Sequence, residues 1–244
     1  MTVTINADMG ESYGLHSFGH DRDLLPLVDT VNVACGFHAG DPGAMRETVR
    51  AAGAVGVSIG AHPGLPDPVG FGRREMALSP EEVRDLVLYQ VGALVGFLSA
   101  EGLVLDHLKP HGSLYGMVGR DPALMDALCD VAVQYAVPVY GLAGTAHEEV
   151  AVRRGVDFVP ELYVDLGYDA QGRLLIARRP QATPPELAAE RARRGVVEQV
   201  VQADTGERLP ARFNSICVHS DTATAVQVAM AVRDVVGFPV PRPS

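Results

Sequence analysis

Short apolar, β-branched runs alternate along this chain of 244 residues with longer segments of helical period. That alternation is typical of repeated β-strand–α-helix units, which build a mainly parallel sheet. Seven runs predict strands: Val3–Asp8, Thr30–Cys35, Val57–His62, Leu105–Lys109, Val137–Leu142, Phe158–Glu161 and Ser215–His219. Barrels of this kind have roughly 250 residues, so we predict one α/β domain over 1–244, a (β/α) barrel with about seven parallel strands.

Helix starts are marked by hydroxyl and carboxylate residues followed by proline. Ser79-Pro-Glu-Glu82 and Thr183-Pro-Pro-Glu186 each predict a capping box, and Asp41 and Asp121, each followed by Pro, predict simpler N-caps. Two long loops, 62–78 and 162–183, exceed what a plain barrel needs, and the second contains a hairpin-like turn at Tyr168–Gly172. Long loops in such folds usually cover or build a site.

The composition argues against several classes of partner. The formal net charge is -10 and the 20 Lys and Arg are scattered, which disfavours nucleic-acid binding. The start of the chain has no basic region followed by an apolar stretch. The longest uncharged apolar helical segment, Leu86–Ala100, is shorter than the roughly 20 residues of a membrane span. We therefore expect a cytoplasmic protein without a membrane partner.

The three cysteines, Cys35, Cys129 and Cys217, are odd in number and widely separated. They form neither a disulfide framework nor a CxxC metal knuckle, and we predict that all three are small buried residues of the core. Cys35 and Cys217 each end an apolar run beside His or Gly, so a catalytic thiol is the minor alternative.

Polar residues that are rare in protein cores stand at the ends of successive predicted strands. In a parallel β/α fold these carboxyl ends converge at one face, so residues distant in sequence meet in one pocket. The residues so placed are Asp8, His38, His62, Lys109, His111, Glu161 and His219. This convergence is the main sequence argument for an active site.

Each of these residues also has a structural interpretation. Asp41 is favoured as an N-cap over a role in the site, by roughly two to one. A single His near a strand end is more often structural than functional, but four such histidines are harder to dismiss together. An unpaired buried ammonium is strongly unfavourable, so Lys109 is favoured as functional.

Other polar residues are more evenly balanced. Arg73 and Arg74 form either a solvated surface pair or an anion-binding site in a Gly-rich loop, with about equal weight. Tyr115 is either a core aromatic or a hydroxyl that orients the substrate. Four further histidines have no comparable placement and are taken as structural or surface residues: His16, His20, His107 and His147.

Several common chemistries are excluded by the spacing of residues. The chain has no GxxxxGK[ST] phosphate loop, no GxGxxG after the first strand, no GxSxG elbow and no HExxH helix. Asp8, His62 and His111 could supply a carboxylate and two imidazoles to one divalent metal that activates water. The identity of such a metal is not specified by these residues.

Five segments resemble, in order, the motifs of the LamB/YcsF family. They are Asn6-Ala-Asp-Met-Gly-Glu-Ser-Tyr-Gly14, Asn32-Val-Ala-Cys-Gly-Phe-His-Ala-Gly-Asp-Pro42, Gly60-Ala-His-Pro63 with Gly70-Phe-Gly-Arg-Arg74, Leu108-Lys-Pro-His-Gly-Ser-Leu-Tyr115, and Ile216-Cys-Val-His-Ser-Asp221. The similarity extends from the first strand to the last helix, and five motifs in the right order are highly specific.

The resemblance implies a barrel of about seven strands related to glycoside hydrolases and polysaccharide deacetylases. It implies the role of the A subunit of an ATP-dependent 5-oxoprolinase, which converts 5-oxoproline to L-glutamate with hydrolysis of ATP to ADP and phosphate, with B and C subunits as partners. The family's motif positions correspond here to Asp8, Glu11, His38, Asp41, His62, Arg73, Lys109, His111 and His219.

The implied mechanism is phosphorylation of the lactam carbonyl oxygen followed by attack of water. Lys109 and Arg73 would stabilise negative charge, and the general base would be Asp8, Glu11 or one of His62 and His111. His38, Asp41, Arg73, Tyr115, Glu161 and His219 are the candidates for binding substrate or anions.

Two positions depart from the family's pattern. Leu166 stands where an Arg usually follows Asp165, and Ser220 replaces the Gly of a His-Gly-Asp motif. If that Arg holds an anionic substrate, its loss affects the choice of substrate.

Two other functions stay open. A metal-dependent deacetylase or amidohydrolase would act without ATP through Asp8, His62 and His111, and a non-catalytic subunit would only deliver a small cyclic acid to its partners. A homo-oligomer is the ordinary expectation for a cytoplasmic enzyme.

Overall fold

The structure is a computed structural model that describes residues 3–176 and 181–237. Its central sheet contains the strands β1 Thr4–Met9, β2 Thr30–Ala34, β3 Ser58–His62, β4 Val139–Gly141, β5 Phe158–Tyr163 and β10 Ser215–His219. All six are parallel, in the order β3-β2-β1-β10-β5-β4. They match six of the predicted runs to within a few residues, and the α/β barrel class is confirmed.

The predicted strand Leu105–Lys109 is not a regular strand. Leu108 makes a single parallel bridge to Ala61 of β3 and another to Val139 of β4. The amide of Lys109 donates to the Ala61 carbonyl at 2.9 Å, and the amide of Tyr140 donates to the Leu108 carbonyl at 2.9 Å. The residue after Lys109 is a proline, which has no N–H to continue a ladder. The segment thus fills the seventh position between β3 and β4 with extended chain.

Two small antiparallel hairpins are added to the barrel. β6 Gly167–Tyr168 pairs with β7 Leu174–Leu175, which confirms the predicted turn at 168–172. The pair β8 Val200–Gln202 and β9 Arg208–Pro210 was not predicted. Residues 177–180 of the predicted loop 162–183 lie outside the described residues.

Eight α-helices surround the sheet in the part of the chain that the structure describes. They are α1 Asp21–Leu24, α2 Pro42–Val55, α3 Pro80–Ala100, α4 Gly112–Arg120, α5 Pro122–Tyr135, α6 Ala146–Arg154, α7 Pro185–Glu198 and α8 Ala225–Val236. Helix α3 packs on α5, and α7 packs on α8.

Three of the four predicted helix starts are confirmed. Ser79 and Glu82 form the reciprocal capping box of α3, and Asp41 and Asp121 accept backbone N–H groups at the starts of α2 and α5. The capping box at Thr183 is wrong. The Thr183 hydroxyl donates to the Asp165 carbonyl at 3.1 Å, and α7 begins one residue later than predicted without a side-chain cap.

Helix α3 is longer than the apolar segment read from the sequence. Its 21 residues include a stretch of 18 residues with a mean hydropathy of 1.3, so by length and composition alone the helix could cross a membrane. The uncharged part of this helix is the predicted Leu86–Ala100, and the full helix reaches the length of a membrane span only by including charged residues at its start. Val83, Val87, Val91 and Leu94 are nevertheless buried against the core, as the stripe of apolar residues predicts.

The sheet separates an apolar layer from a polar one because side chains alternate along each strand. Ile5, Ala7 and Met9 of β1 belong to the apolar core and are fully buried. Asn6 and Asp8, which alternate with them, are also buried but contact polar side chains of the neighbouring strands β10 and β2. The interior of the barrel at its carboxyl end is therefore a polar layer.

Gly60 is needed where β3 passes His107. A Cβ on Gly60 would overlap the imidazole of His107, which is fully buried. We expect Gly60→Ala to lower the free energy of unfolding by about 1–3 kcal/mol in a denaturant titration, because the buried ring must shift.

Gly96→Ala is the matched control. Gly96 lies inside α3 with no atom within 4 Å of an added Cβ, so the same change should stabilise the protein by about 0.5–1 kcal/mol. Equal effects of the two substitutions would contradict the close contact at Gly60.

Candidate active site

The centre of the polar layer is the ammonium group of Lys109, which is 2% exposed. Its Nζ lies 3.0 Å from Asp8 Oδ1, 3.1 Å from Asn6 Oδ1, 3.0 Å from Cys217 Sγ and 3.3 Å from Glu161 Oε1. Burial by itself disfavours the charged form, but the carboxylates of Asp8 and Glu161 and the Cys217 sulfur outweigh it. The pKa of Lys109 is consequently raised well above its usual value.

Buried amides hold these charges in position. Asn32 Nδ2 donates to Asp8 Oδ1 at 2.7 Å and to Asn6 Oδ1 at 2.8 Å. Asn6 Nδ2 donates to Glu161 Oε1 at 3.0 Å, and the Tyr163 hydroxyl donates to Glu161 Oε2 at 3.0 Å. Both carboxylates therefore have fixed orientations in a site with little solvent.

Three histidines follow the neighbouring strands β2, β3 and the segment at Leu108. His62 Nδ1 lies 2.8 Å from the Lys109 carbonyl, and His111 Nε2 lies 2.8 Å from the Phe71 carbonyl. His62 Nε2 and His111 Nδ1 are 3.0 Å apart. His38 stacks on His111 with 3.7 Å between ring centroids and 5° between the planes.

Glycines allow the loop after β3 to pass against these rings. A Cβ on Gly64 would overlap the His38 ring, and one on Gly72 would lie 2.7 Å from the His38 Cβ. Between them Phe71 has a φ of 55°, which is uncommon for a bulky residue, and its carbonyl faces His111. The predicted long loop thus builds one wall of the site.

The surroundings shift the pKa values of two carboxyl groups of the site in opposite directions. Burial would raise the pKa of Asp8, but the charges of His62 and Lys109 outweigh it and hold that pKa well below its usual value. Burial, together with the nearby charges of Asp8 and Asp221, raises the pKa of Glu11 well above its usual value. The surroundings thus favour the ionised form of Asp8 and the protonated form of Glu11, an arrangement suited to general acid–base chemistry.

His219 is held as an imidazolium at neutral pH. Burial would lower its pKa, but Asp165, whose oxygens lie 3.0 and 3.1 Å from Nδ1, and Asp8 raise it to about 9. Its Nε2 lies 3.6 Å from Asp8 Oδ2. Burial and the neighbouring histidines lower the pKa of His38 and of His111 well below the usual value, so those two rings are neutral.

A pocket opens above these residues at the carboxyl ends of the strands. Arg73 is among its lining residues, and its Nη2 lies 2.9 Å from Asp221 Oδ2. The lining also includes Asp8, His62, Lys109, His111, Tyr115, Tyr163, Asp165, Leu166, Leu174, Ile176, His219 and Asp221. A larger cleft of about 850 Å³ shares Arg73, Tyr115, Leu174 and Ile176 with this pocket.

The structure brings together the residues predicted to meet at the strand ends. Asp8, His38, His62, Lys109, His111, Glu161 and His219 join one network with Glu11, and Arg73 and Tyr115 line the pocket. Asp41 acts as the N-cap, and its second oxygen accepts the amide of Gly14 at 2.6 Å. Its alternative role in binding the substrate remains a prediction.

The remaining polar candidates have structural surroundings. Arg74 pairs with Asp67. His107 and His147 are buried and His16 and His20 are exposed, in agreement with the structural or surface interpretation. All three cysteines are buried and free. Burial raises the pKa of the Cys35 thiol to about 12 and that of Cys217 well above its usual value, which disfavours a catalytic thiol.

Sequence reasoning missed several residues of the network. Asn6 and Asn32 lie within apolar strands, and Asn6 precedes Asp8 by two residues, so it faces the same side of β1. That spacing is a signal that could have identified it. Tyr163, Asp165 and Asp221 were not assigned to the site, because only the placement of β10 beside β1 and of β5 beside β10 brings them near Asp8.

Comparison with known proteins agrees with the motifs of this site. The profile of the LamB/YcsF family matches residues 3–237. The chain belongs to the LamB/YcsF family. A relative from Thermus thermophilus, named as the A subunit of 5-oxoprolinase, is 50% identical over 238 residues, which are 96% of this chain and 95% of the relative.

Further relatives extend the family across kingdoms. The lactam utilization protein lamB of Emericella nidulans is 46% identical over 95% of this chain and 93% of its own length. The crystal structure of the lactam utilization protein from Thermus thermophilus superposes with a TM-score of 0.88 at 48% identity and covers 97% of this chain and 96% of its own. A family 4 carbohydrate esterase from Streptomyces lividans, at a TM-score of 0.50 and 12% identity, shares the fold alone.

The pairing of His219 with Asp165 predicts a pH dependence of stability. Because the pKa of His219 is raised in the folded protein, its contribution is fully present below the unfolded pKa of about 6.5 and is lost as the pH rises through about 9. The difference in unfolding free energy between wild type and His219→Gln should therefore shrink between about pH 7 and pH 10.

Proton NMR of the imidazoles provides the direct measurement. His219 should titrate near pH 9 in the wild type and at a lower pH in Asp165→Asn. His147, whose pKa burial lowers to about 4, is the internal control and should not respond to that substitution. A wild-type His219 that titrates at or below its ordinary value of about 6.5 would contradict the ion pair.

Proposed function

We propose that this chain is the A subunit of an ATP-dependent 5-oxoprolinase and that the pocket at the carboxyl ends of its strands opens the lactam of 5-oxoproline to L-glutamate. The observation that carries the proposal is that Asp8 and Glu11 lie in one buried network, linked through His62 and His111, with the pKa of Asp8 lowered and that of Glu11 raised. The substrate is proposed from the name of the relative at 50% identity, which is the A subunit of 5-oxoprolinase.

The chemistry divides between the two carboxyl groups. A lactam resists water because its amide is resonance-stabilised, and transfer of the γ-phosphoryl group of ATP to the amide oxygen makes its carbon electrophilic. Asp8 takes a proton from the attacking water, and Glu11 gives a proton to the nitrogen as the C–N bond breaks. A second water then releases phosphate, so that two waters and one ATP are consumed for each glutamate.

Cations of the pocket bind the anionic groups of substrate and nucleotide in this proposal. His219, with a pKa of about 9, and Arg73 both line the pocket and would hold the substrate carboxylate and the transferred phosphoryl group. Lys109 was expected to stabilise developing charge directly. Its contacts with Asp8 and Glu161 support instead a role in keeping Asp8 ionised.

The larger cleft is the proposed site of ATP. Its volume of about 850 Å³ falls within the range of small-molecule sites, and Arg73, Arg74, Arg120 and Arg173 line it. Gly144 and Thr145, at the start of α6, also line it, and helix starts favour phosphate groups. The cleft shares Arg73 and Tyr115 with the small pocket, so in this proposal the γ-phosphate lies on the side of the cleft that adjoins the bound lactam.

Leu166 and Ser220 bear on the choice of substrate. Leu166 lines the pocket directly after Asp165, so the position where the family usually has Arg presents apolar surface here. Ser220 is buried, and its hydroxyl would lie 2.7 Å from a Cβ on Gly19. We propose that the carboxylate of the substrate is held by Arg73 and His219 without help from position 166.

The relatives' names, which describe one component of a larger enzyme, support the expectation of B and C partners. The test is glutamate release from 5-oxoproline by the purified chain, alone and with its B and C partners, each with and without ATP. We expect glutamate only from the complete mixture with ATP. No glutamate from a demonstrably assembled complex would contradict the proposed substrate.

Other results would indicate a metal-dependent amidohydrolase or a non-catalytic binding protein instead. Glutamate or another hydrolysis product formed by the chain alone without ATP would favour a metal-dependent amidohydrolase, for which the facing histidines are the specific observation. Binding of 5-oxoproline that survives His62→Ala and His111→Ala, without turnover, would indicate a non-catalytic binding protein.

Glu11→Gln tests the general acid. We expect kcat of the assembled enzyme to fall by about 10²–10⁴-fold, because an amide cannot donate the proton of a carboxylic acid at this place. Glu47→Gln, the same change on an exposed residue of α2, is the control and should leave kcat unchanged. Equal activity of the two variants would remove Glu11 from the mechanism.

A further inference from the structure

The outer nitrogens of His62 and His111 both face backbone carbonyl groups. His62 Nδ1 lies 2.8 Å from the Lys109 carbonyl oxygen, and His111 Nε2 lies 2.8 Å from the Phe71 carbonyl oxygen. A carbonyl oxygen only accepts hydrogen bonds, so each of these nitrogens carries the hydrogen of its ring. A backbone carbonyl on the far nitrogen is also a usual partner of a histidine that binds a metal.

When both rings are neutral, the inner nitrogens have lone pairs that face one another. His62 Nε2 and His111 Nδ1 are 3.0 Å apart, the two ring planes are nearly perpendicular at 86°, and His62 Nε2 also lies 3.3 Å from Asp8 Oδ2. Two lone pairs at this distance, beside a carboxylate, repel unless a proton or a metal ion lies between them. Both rings are buried, so solvent does not relieve the repulsion.

We propose that Glu11, His62 and His111 bind a divalent transition-metal ion of the zinc type. In a tetrahedral zinc site with bonds of about 2.0–2.1 Å, neighbouring ligand atoms lie roughly 3.3 Å apart. The inner nitrogens at 3.0 Å, and Glu11 Oε1 at 3.9 Å from His111 Nδ1, are close to that spacing. Two imidazoles, one carboxylate and one open position are a known catalytic donor set for zinc.

His38 supports Glu11 in this site rather than serving as a fourth ligand. Its Nε2 lies 3.5 Å from Glu11 Oε1. Neither ring nitrogen of His38 has a hydrogen-bond partner among the described residues, although the residue is 1% exposed. Because His38 is stacked parallel to His111, the lone pairs of the two rings cannot point at one ion without a tilt.

Glu11 has one of two roles. As a zinc ligand it would be ionised and would not be the proton donor of the proposed reaction, so the metal site and that role of Glu11 are alternatives.

Asp8 shares the metal set predicted from sequence with His62 and His111, but its surroundings favour a different role. Asp8 Oδ1 already accepts from Lys109 and Asn32, and Oδ2 faces His62 at 3.3 Å and His219 at 3.6 Å. The sulfur near Asp8 and His219, that of Cys217, lies 3.0 Å from the Lys109 ammonium. That ammonium supplies the positive charge there, so a second cation is disfavoured.

The experiment is equilibrium dialysis of the full chain against Zn²⁺, with the bound metal measured by mass spectrometry, and against Co²⁺, with its visible absorption recorded. We expect one ion per chain and a rise in Tm with metal concentration. His111→Gln and Glu11→Gln should raise the Kd for Zn²⁺ by at least about 100-fold. This readout needs neither ATP nor partner subunits, so it is independent of the proposed reaction.

Two variants serve as controls. His147→Gln removes a buried imidazole outside the cluster and should bind Zn²⁺ as the wild type does. Asp8→Asn should keep Zn²⁺ binding within about tenfold, since Asp8 is not a ligand in this proposal. If a variant fails to fold, as judged by circular dichroism, the wild-type stoichiometry still decides.

Binding of far less than one ion per chain in the wild type would overturn the proposal and indicate that a shared proton bridges His62 and His111. Unchanged Zn²⁺ affinity in both His111→Gln and Glu11→Gln would equally overturn it. Loss of binding in Asp8→Asn but not in Glu11→Gln would assign the metal to Asp8 instead and reject Glu11 as a ligand.

Discussion

The buried ammonium of Lys109 is the interaction on which the rest of the site depends. An isolated ammonium in the interior would be strongly unfavourable, and removing one partner of a buried pair typically costs about 3–5 kcal/mol. Here Asp8 and Glu161 neutralise the charge, and Asn6 and Cys217 fill the remaining positions around Nζ. The four partners come from β1, β5 and β10, so the ammonium also holds these three strands in register at their carboxyl ends.

The charge on Lys109 lowers the pKa of Asp8 and, through Asp8, affects the other titratable groups of the pocket. Asp8 stays ionised beside Lys109, and the negative charge of Asp8 then contributes to raising the pKa of Glu11, so that one acid and one base stand in the same network. Asp165 holds His219 as a cation within 3.6 Å of Asp8. The fold of a barrel supports many chemistries; here the reaction is determined by how these few charges are distributed.

Much of this arrangement could be predicted from sequence because strand ends are local features. Asp8 and His62 each end an apolar run, and the parallel topology brings such ends together. The predictions that were wrong have long-range causes. Thr183 has the sequence of an N-cap but donates its hydroxyl to the Asp165 carbonyl, and the segment at Leu108 pairs through single bridges because the proline after Lys109 interrupts its ladder. Such outcomes depend on neighbours that a local pattern does not describe.

A double-mutant cycle on Lys109 and Asp8 tests the central claim, that a buried ammonium–carboxylate pair organises the site. The free energy of unfolding would be measured for wild type, Lys109→Met, Asp8→Asn and the double variant. We expect each single substitution to destabilise the protein by about 3–5 kcal/mol, and the double variant to lose much less than the sum, because it leaves no unpaired buried charge between these two positions. Additive losses would contradict the claim and show that the two residues act independently.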